Sequence, residues 1–329
     1  MKKNKLYFTY LFLILLFLSE ALFLKEKLDP YLFNIYYRPP SFVYQASIKP
    51  FPREIKTEKE EGKEPIILNV NSAIVVRVSG DDEEILFEKE SKTPFPIASL
   101  TKLMTAWVVL EHPEYYSISE SISMSEEALE KNGGGKIKQG EQVILNDLLH
   151  AMLIQSSNDS AYAIAEAFDE GDNISTPKEK VNSFISLMNL EAEKLFLKKT
   201  SFSNCTGLDV PGLNKSTSYD LAEFAKYILK KHPEIFEISA KPYYPISNNK
   251  GDILYLATNR NELLEEMDYL FGGKTGWTPK AGGCILLIQE IGQEDYLISI
   301  VLGADSPQER FSEIKKLIYL ATNNLEFIQ

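Results

Sequence analysis

The chain of 329 residues, 44% hydrophobic and 25% charged, is long enough to bury a real core in one large domain or two modest ones. Its formal net charge of -12 argues against binding nucleic acid, or an anionic membrane face, by bulk attraction. Cys205 and Cys284 belong to no C-x-x-C pair; two buried reduced thiols are the simplest reading, and a disulfide in an oxidising compartment stays open.

The first element is apolar. "MKKNK" is followed by a run over residues 6–24 interrupted only by Thr9, Ser19 and Glu20. At ~1.5 Å per residue, that run approaches the ~30 Å of a bilayer core. The leading lysines would stay cytoplasmic and place the rest of the chain outside. Ser19-Glu20-Ala21 loosely fits a signal-peptide cleavage site, but the run continues through Leu22, Phe23 and Leu24, which suits a retained anchor better. Either way the globular part is expected to be exported. Residues 25–65, with repeated prolines and then a charge run, read as a tether, and 66–329 as one folded domain without internal repeats.

That domain opens with strands at 72–79 and 84–90 flanking a turn, a β-hairpin whose acidic cluster Asp81 to Glu84 reads as solvated. A helical middle follows. Residues 146–168 carry apolar side chains at helical spacing, broken around Ser156 to Asn158, and 178–197 and 218–232 are two further amphipathic helices. Strands return at 283–291 and 296–304, and a last helix over 307–322 turns Phe311, Ile314, Leu317 and Ile318 to the core. The expected fold is α/β of the α+β kind, with an antiparallel sheet built from both chain ends and a helical insert between them.

Much chemistry is missing. His112, His150 and His232 form no metal-ligand spacing, and His112 and His232 precede prolines at helix ends, where capping is the usual role. There is no G-x-S-x-G elbow, Walker loop or dinucleotide fingerprint, and "NGGGKIKQG" (132–140) reads as a flexible loop. A nucleophile would therefore need a base other than histidine, and a lysine serves when burial or a second cation lowers its proton affinity. Ser99 and Lys102 fit, lying three apart on one face of a helix start among apolar neighbours. The S-x-x-K matches at Ser175, Ser247 and Ser312 lie in polar surroundings. "QSSND" then sets Ser156 and Asn158 at a helix break, and "FGGKTGWT" sets Lys274, Thr275 and Gly276 before an apolar strand, with glycines that permit close backbone approach to a ligand.

S-x-x-K, S-x-N and K-T-G in this order resemble the signature of penicillin-recognising serine enzymes. The stretches "PIASLTKLMTA", "TSFSNCTGLDVPG", "TNRNELL" and "GGKTGWTPKAGGC" resemble low-molecular-weight D-alanyl-D-alanine carboxypeptidases, from about residue 66 to 329. The resemblance implies a β-lactamase/transpeptidase-like fold and a serine hydrolase without a cofactor, acting on the peptidoglycan stem peptide and acylated by β-lactams. It implies that Ser99 forms the acyl-enzyme, Lys102 takes its proton and Ser156 relays a proton to the leaving D-alanine. Asn158 would hold the substrate amide. Thr275 and Lys274 would meet the terminal carboxylate, with Arg260 as a second anchor and Lys274 helping to keep Lys102 neutral. Backbone N–H groups of Ser99 and Trp277 would form the oxyanion hole.

Ser157 stands where many members carry glycine, a difference expected to act on cleft width. The N-terminal span is expected to supply the attachment that many members take from a second domain and C-terminal segment. The rivals are a D,D-endopeptidase using the same residues, a non-catalytic β-lactam sensor, and a class A β-lactamase. For the last, the nearest match to the required E-x-x-L-N segment is Glu191 to Phe196, which reads as continuous helix.

Overall fold

The computed structural model describes residues 66–131, 137–169 and 176–322. The apolar span, the tether and most of the glycine-rich stretch at 132–140 lie outside the described residues.

Strands β1 (Ser72–Ser79) and β2 (Asp82–Lys89) form the first hairpin, followed by β3 (Phe95–Pro96), a 3-10 turn (Ala98–Leu100) and helix α1 (Thr101–Glu111). The insert continues through β4 (Ser121–Ser123), α2 (Glu126–Leu129), β5 (Gln142–Ile144), α3 (Leu145–Ile154), α4 (Asn158–Glu166) and α5 (Pro177–Lys194). After β6 (Lys215–Ser216) come α6 (Ser218–Lys231), α7 (Glu234–Ser239) and the hairpin β7 (Tyr243–Ser247) with β8 (Ile253–Thr258). The chain then returns as β9 (Leu270–Thr278), β10 (Gly282–Gly292), β11 (Asp295–Ala304) and α8 (Glu309–Thr322).

The main sheet has the antiparallel order β2-β1-β11-β10-β9, so the two ends of the domain meet at β1 and β11. Alternation along the strands divides their side chains between two cores. Ile74, Val76, Leu286, Ile288, Ile298 and Ile300 pack against the helical insert. Ala73, Val75, Ile285, Leu287 and Val301 pack on the other side with Phe311, Ile314 and Leu317 of α8, where burial of each large side chain is worth roughly 2 kcal/mol. The result is helices, sheet, helix in three layers, with the expected antiparallel sheet built from both ends of the described chain and a helical insert between them.

Helix limits follow local chemistry. Thr176 Oγ1 accepts the Glu179 N–H at 3.3 Å while Glu179 Oε2 accepts the Thr176 N–H at 3.0 Å, a capping box that starts α5 with Pro177 in its first turn. His112 and His232 cap the C-termini of α1 and α6, and both also meet carboxylates, His112 with Glu114 and Glu191, His232 with Glu111 and Glu234.

Two readings change. The acidic cluster is only partly a turn, because Asp82, Glu83 and Glu84 are exposed residues of β2. The K-T-G segment does not precede a strand; it lies within β9, at the free edge of the sheet. Its glycines hid this, because they lack the side chains that mark a strand. They are required by close packing: a Cβ on Gly272 would stand 2.4 Å from the Phe236 carbonyl oxygen, and one on Gly273 2.3 Å from that of Leu286.

Candidate active site

Ser99 sits in the 3-10 turn that leads into α1. Several contacts fix this turn. Thr101 Oγ1 donates to the Ala98 carbonyl at 2.7 Å, and Asn214 Nδ2 donates to Thr101 Oγ1 at 2.9 Å. Gly207, at φ +87, packs so closely that a Cβ there would stand 2.0 Å from the Ala98 oxygen and 2.9 Å from the Ser99 nitrogen. The loop carrying Gly207 is organised by Asn204, whose Oδ1 accepts the N–H groups of Thr206 at 3.0 Å and Gly207 at 2.6 Å.

Lys102, in the first turn of α1, is fully buried and its Nζ meets three oxygens: Ser99 Oγ at 2.9 Å, Asn158 Oδ1 at 2.7 Å and the Thr206 carbonyl at 2.7 Å. The carbonyl can only accept. Asn158 Nδ2 donates to the Lys131 carbonyl at 3.2 Å, which turns Oδ1 toward the lysine as a second obligate acceptor. A neutral amine gives its two N–H groups to these oxygens and keeps its lone pair for the Ser99 hydroxyl. Burial lowers Lys102 to about 7, against a weak upward pull from Cys205. This is the arrangement of a general base poised near neutrality.

Ser156 occupies left-handed backbone, φ 64, between α3 and α4. Ser157 is buried and caps α4, its Oγ accepting the Ser160 N–H at 3.1 Å, so it serves the helix junction rather than cleft width. The Arg260 N–H donates to the Ile154 carbonyl at 3.2 Å, which docks Arg260 beside the same junction with its side chain exposed.

On the opposite wall, Gly276 touches the nucleophile's turn: a Cβ there would stand 2.8 Å from the Ser99 nitrogen. Lys274 is buried and donates to the Thr275 carbonyl at 3.0 Å. That carbonyl therefore points away from β10. Residues two apart in a strand present backbone groups to the same side, so the Trp277 N–H faces the same free edge. Burial, then the charges of Lys102, Arg310 and Arg260, hold the Lys274 ammonium well below its usual range. Burial is the first cause at both lysines, and the repulsion between their two charges adds to it.

The residues expected from the sequence are tied to Ser99 to different degrees. Ser99, Lys102 and Asn158 are joined directly, Gly276 by contact, Lys274 and Arg260 by charge, Ser156 through its helix junction, and Thr275 and Trp277 through β9. Sequence reasoning assigned no role to Asn204, Thr206, Gly207 or Asn214, although "SNCTG" with its helix-averse residues marks an ordered loop. It also missed Arg310 in α8, whose Nη1 donates to the Gly276 carbonyl at 3.0 Å. Glu191 lies in unbroken α5, bonded to Trp107, His112 and Lys194. Both cysteines are buried free thiols, Cys205 pushed up to about 12 and Cys284 to about 11 by burial.

A serine held by a buried lysine, beside S-x-N and under a K-T-G edge strand, defines an active-serine acyl-transfer site. Residues 58–306 match the peptidase S11 family, described as D-alanyl-D-alanine carboxypeptidase, and the chain belongs to that family. It is 31% identical over 272 residues to D-alanyl-D-alanine carboxypeptidase DacF of Bacillus subtilis, a match covering 82% of this chain and 66% of that one, so it spans slightly less than two thirds of the relative's length. A D-alanyl-D-alanine endopeptidase of Pseudomonas aeruginosa is 26% identical over 235 residues, covering 71% of this chain and 72% of that one. The ampicillin-bound penicillin-binding protein D2 of Listeria monocytogenes superposes with a TM-score of 0.64 at 32% identity, covering 79% of this chain and 99% of that one. The fold is thus the penicillin-binding protein fold.

Proposed function

We propose that the protein is a serine-type D-alanyl-D-alanine carboxypeptidase that removes the terminal D-alanine from peptidoglycan stem pentapeptides. The observation that carries this reading is Lys102 Nζ, buried, 2.9 Å from Ser99 Oγ with its other partners both acceptors. Ser99 Oγ attacks the carbonyl carbon between the two D-alanines while Lys102 takes its proton. The oxyanion meets the N–H groups of Ser99 and Trp277, preorganised donors of a kind worth roughly 3 kcal/mol each. The C–N bond breaks as Ser156 relays a proton to the leaving amine, and water then hydrolyses the ester. Lys274, Thr275 and Arg260 receive the terminal carboxylate, and the second N–H of Asn158 Nδ2 is available to the substrate amide. β-Lactams acylate Ser99 by the same attack, consistent with the ampicillin-bound relative.

The reading extends to location: the enzyme works outside the cytoplasmic membrane, held by the apolar run at 6–24, which the leading lysines orient. A second reading, hydrolysis of D-alanyl cross-links by the same residues, draws support from the relative named an endopeptidase.

D-alanine release from a soluble stem pentapeptide by the full chain, beside Ser99→Ala, tests the proposal. Release by the wild type alone is expected. Release that survives Ser99→Ala would refute it, and cleavage of cross-linked dimers with pentapeptides left intact would favour the endopeptidase.

A further inference from the structure

Arg310 lies in the first turn of the last helix, α8, and its Cβ lies 3.0 Å from the place a Gly283 side chain would take. Gly283 is the register partner of Trp277, so a glycine in β10 is what lets the arginine reach across to β9. There its Nη1 donates to the Gly276 carbonyl at 3.0 Å. That carbonyl and the Trp277 N–H belong to one planar trans peptide and point in opposite directions. A donor that fixes the carbonyl from behind fixes the aim of the N–H in front. A hydrogen bond from a charged group is also stronger than a neutral one, and it polarises the peptide so that the N–H becomes a better donor.

The guanidinium is unusual in a second respect. Arg310 is only 9% exposed, its Nε has no hydrogen-bond partner, and among the described residues no carboxylate lies within ion-pair distance. A buried cation without a carboxylate partner is costly, even with its guanidinium carbon 4.6 Å from the Phe311 ring centroid. Packing of α8 does not call for one, because Phe311, Ile314 and Leu317 already bury its apolar face. The positive charge, felt by Glu262 but held in no ion pair among the described residues, stands behind the strand that carries K-T-G.

We propose that Arg310 is a positioning residue for acyl transfer, acting through the Gly276–Trp277 peptide to aim and polarise the N–H that receives the oxyanion. The inference rests on the acyl-transfer reading above. Arg310 touches no substrate atom in this role; it makes the oxyanion site stiffer and its donor stronger.

The test uses the full chain, Arg310→Lys and Arg310→Met, with a penicillin carrying carbon-13 at the β-lactam carbonyl. Acylation rate, the infrared stretch of the resulting ester carbonyl and the thermal midpoint are recorded for each. Acylation is expected to slow about tenfold in Arg310→Lys and about a hundredfold in Arg310→Met, with the ester band at higher frequency in both because its hydrogen bonding is weaker. A merely structural role lowers the midpoint without moving the band. Arg310→Lys, which keeps the charge and most of the volume, carries the test if Arg310→Met does not fold. An unshifted band in every variant that forms the ester overturns the proposal, whatever the rates. A wild-type chain that forms no ester refutes the acyl-transfer reading itself, a result distinct from an unshifted band.

Discussion

Lys102 Nζ and Ser99 Oγ stand 2.9 Å apart on successive turns at the start of α1, and the lysine has no exposed surface. Placed at about 7, its amine is half-neutral at physiological pH. Acylation by a penicillin should therefore fall tenfold per pH unit below about 7 and level off above it, as measured by stopped-flow with a chromogenic penicillin. The same shift has a stability consequence. The unfolded lysine keeps its proton up to its ordinary value of 10.5, so between about 7 and 10.5 the unfolded chain binds more protons and stability from this group rises with pH. Wild type should gain stability relative to Lys102→Met across that window in urea titrations, and a parallel pH dependence would contradict the buried neutral amine.

Asn158 sets this balance through its neutral Oδ1, 2.7 Å from the amine. Asn158→Asp puts a carboxylate in the same place, which favours the charged lysine and should raise the acid limb by about 2 units. At pH 7 acylation should drop at least about tenfold and recover at high pH. An acid limb that stays at its wild-type position would mean that Asn158 does not tune the base.

The nucleophile's helix was legible because Ser99, Lys102 and the apolar run of α1 fall at one helical spacing. The break at Ser156 to Asn158 was legible because three polar residues interrupt an otherwise apolar pattern. What surrounds them was not. Lys102 is oriented by the carbonyl of Thr206, and Asn158 by that of Lys131, and backbone acceptors leave no trace in residue type. Strand β9 was hidden by Gly272, Gly273 and Gly276, chosen for closeness rather than β-propensity. Arg310 lies 34 residues beyond Gly276, and only the pairing of β9 with β10 brings the two together.

Two glycines pack against the Ser99 turn and should fail differently. A methyl on Gly276 would lie 2.8 Å from the Ser99 nitrogen and 3.0 Å from Ala98 Cβ. It would press the buried K-T-G strand against the backbone of the nucleophile's turn, though less severely than at Gly207. Gly276→Ala should lose less stability than Gly207→Ala and acylate at least about a hundredfold more slowly. Gly207→Ala meets backbone at 2.0 Å and places alanine at φ +87, so it should cost about 2–4 kcal/mol of stability as well as activity. Denaturant midpoints read beside penicillin labelling separate the two, and equal stability losses would mean that the contacts are not as asymmetric as described.

Glu191 decides between a carboxypeptidase-like site and one that uses a glutamate to activate the deacylating water. Its Oε2 accepts from Trp107 Nε1 at 3.1 Å; Oε1 lies 3.1 Å from His112 Nε2 and 2.7 Å from Lys194 Nζ. Burial pushes its carboxyl up, but the bonds from Lys194, Trp107 and His112 outweigh that and leave it below its ordinary value. A depressed carboxyl contributes stability that is present above the unfolded value of 4.5 and lost as pH falls through the folded one. Glu191→Gln should therefore lower stability at pH 7 by about 1–3 kcal/mol, with the deficit shrinking toward acid pH. Hydrolysis of the penicilloyl-enzyme should continue at the wild-type rate, because the carboxylate is committed to the end of α1 rather than to Ser99. A folded Glu191→Gln chain whose ester persisted a hundredfold longer would instead make Glu191 the deacylating base, and the site a β-lactamase in its chemistry.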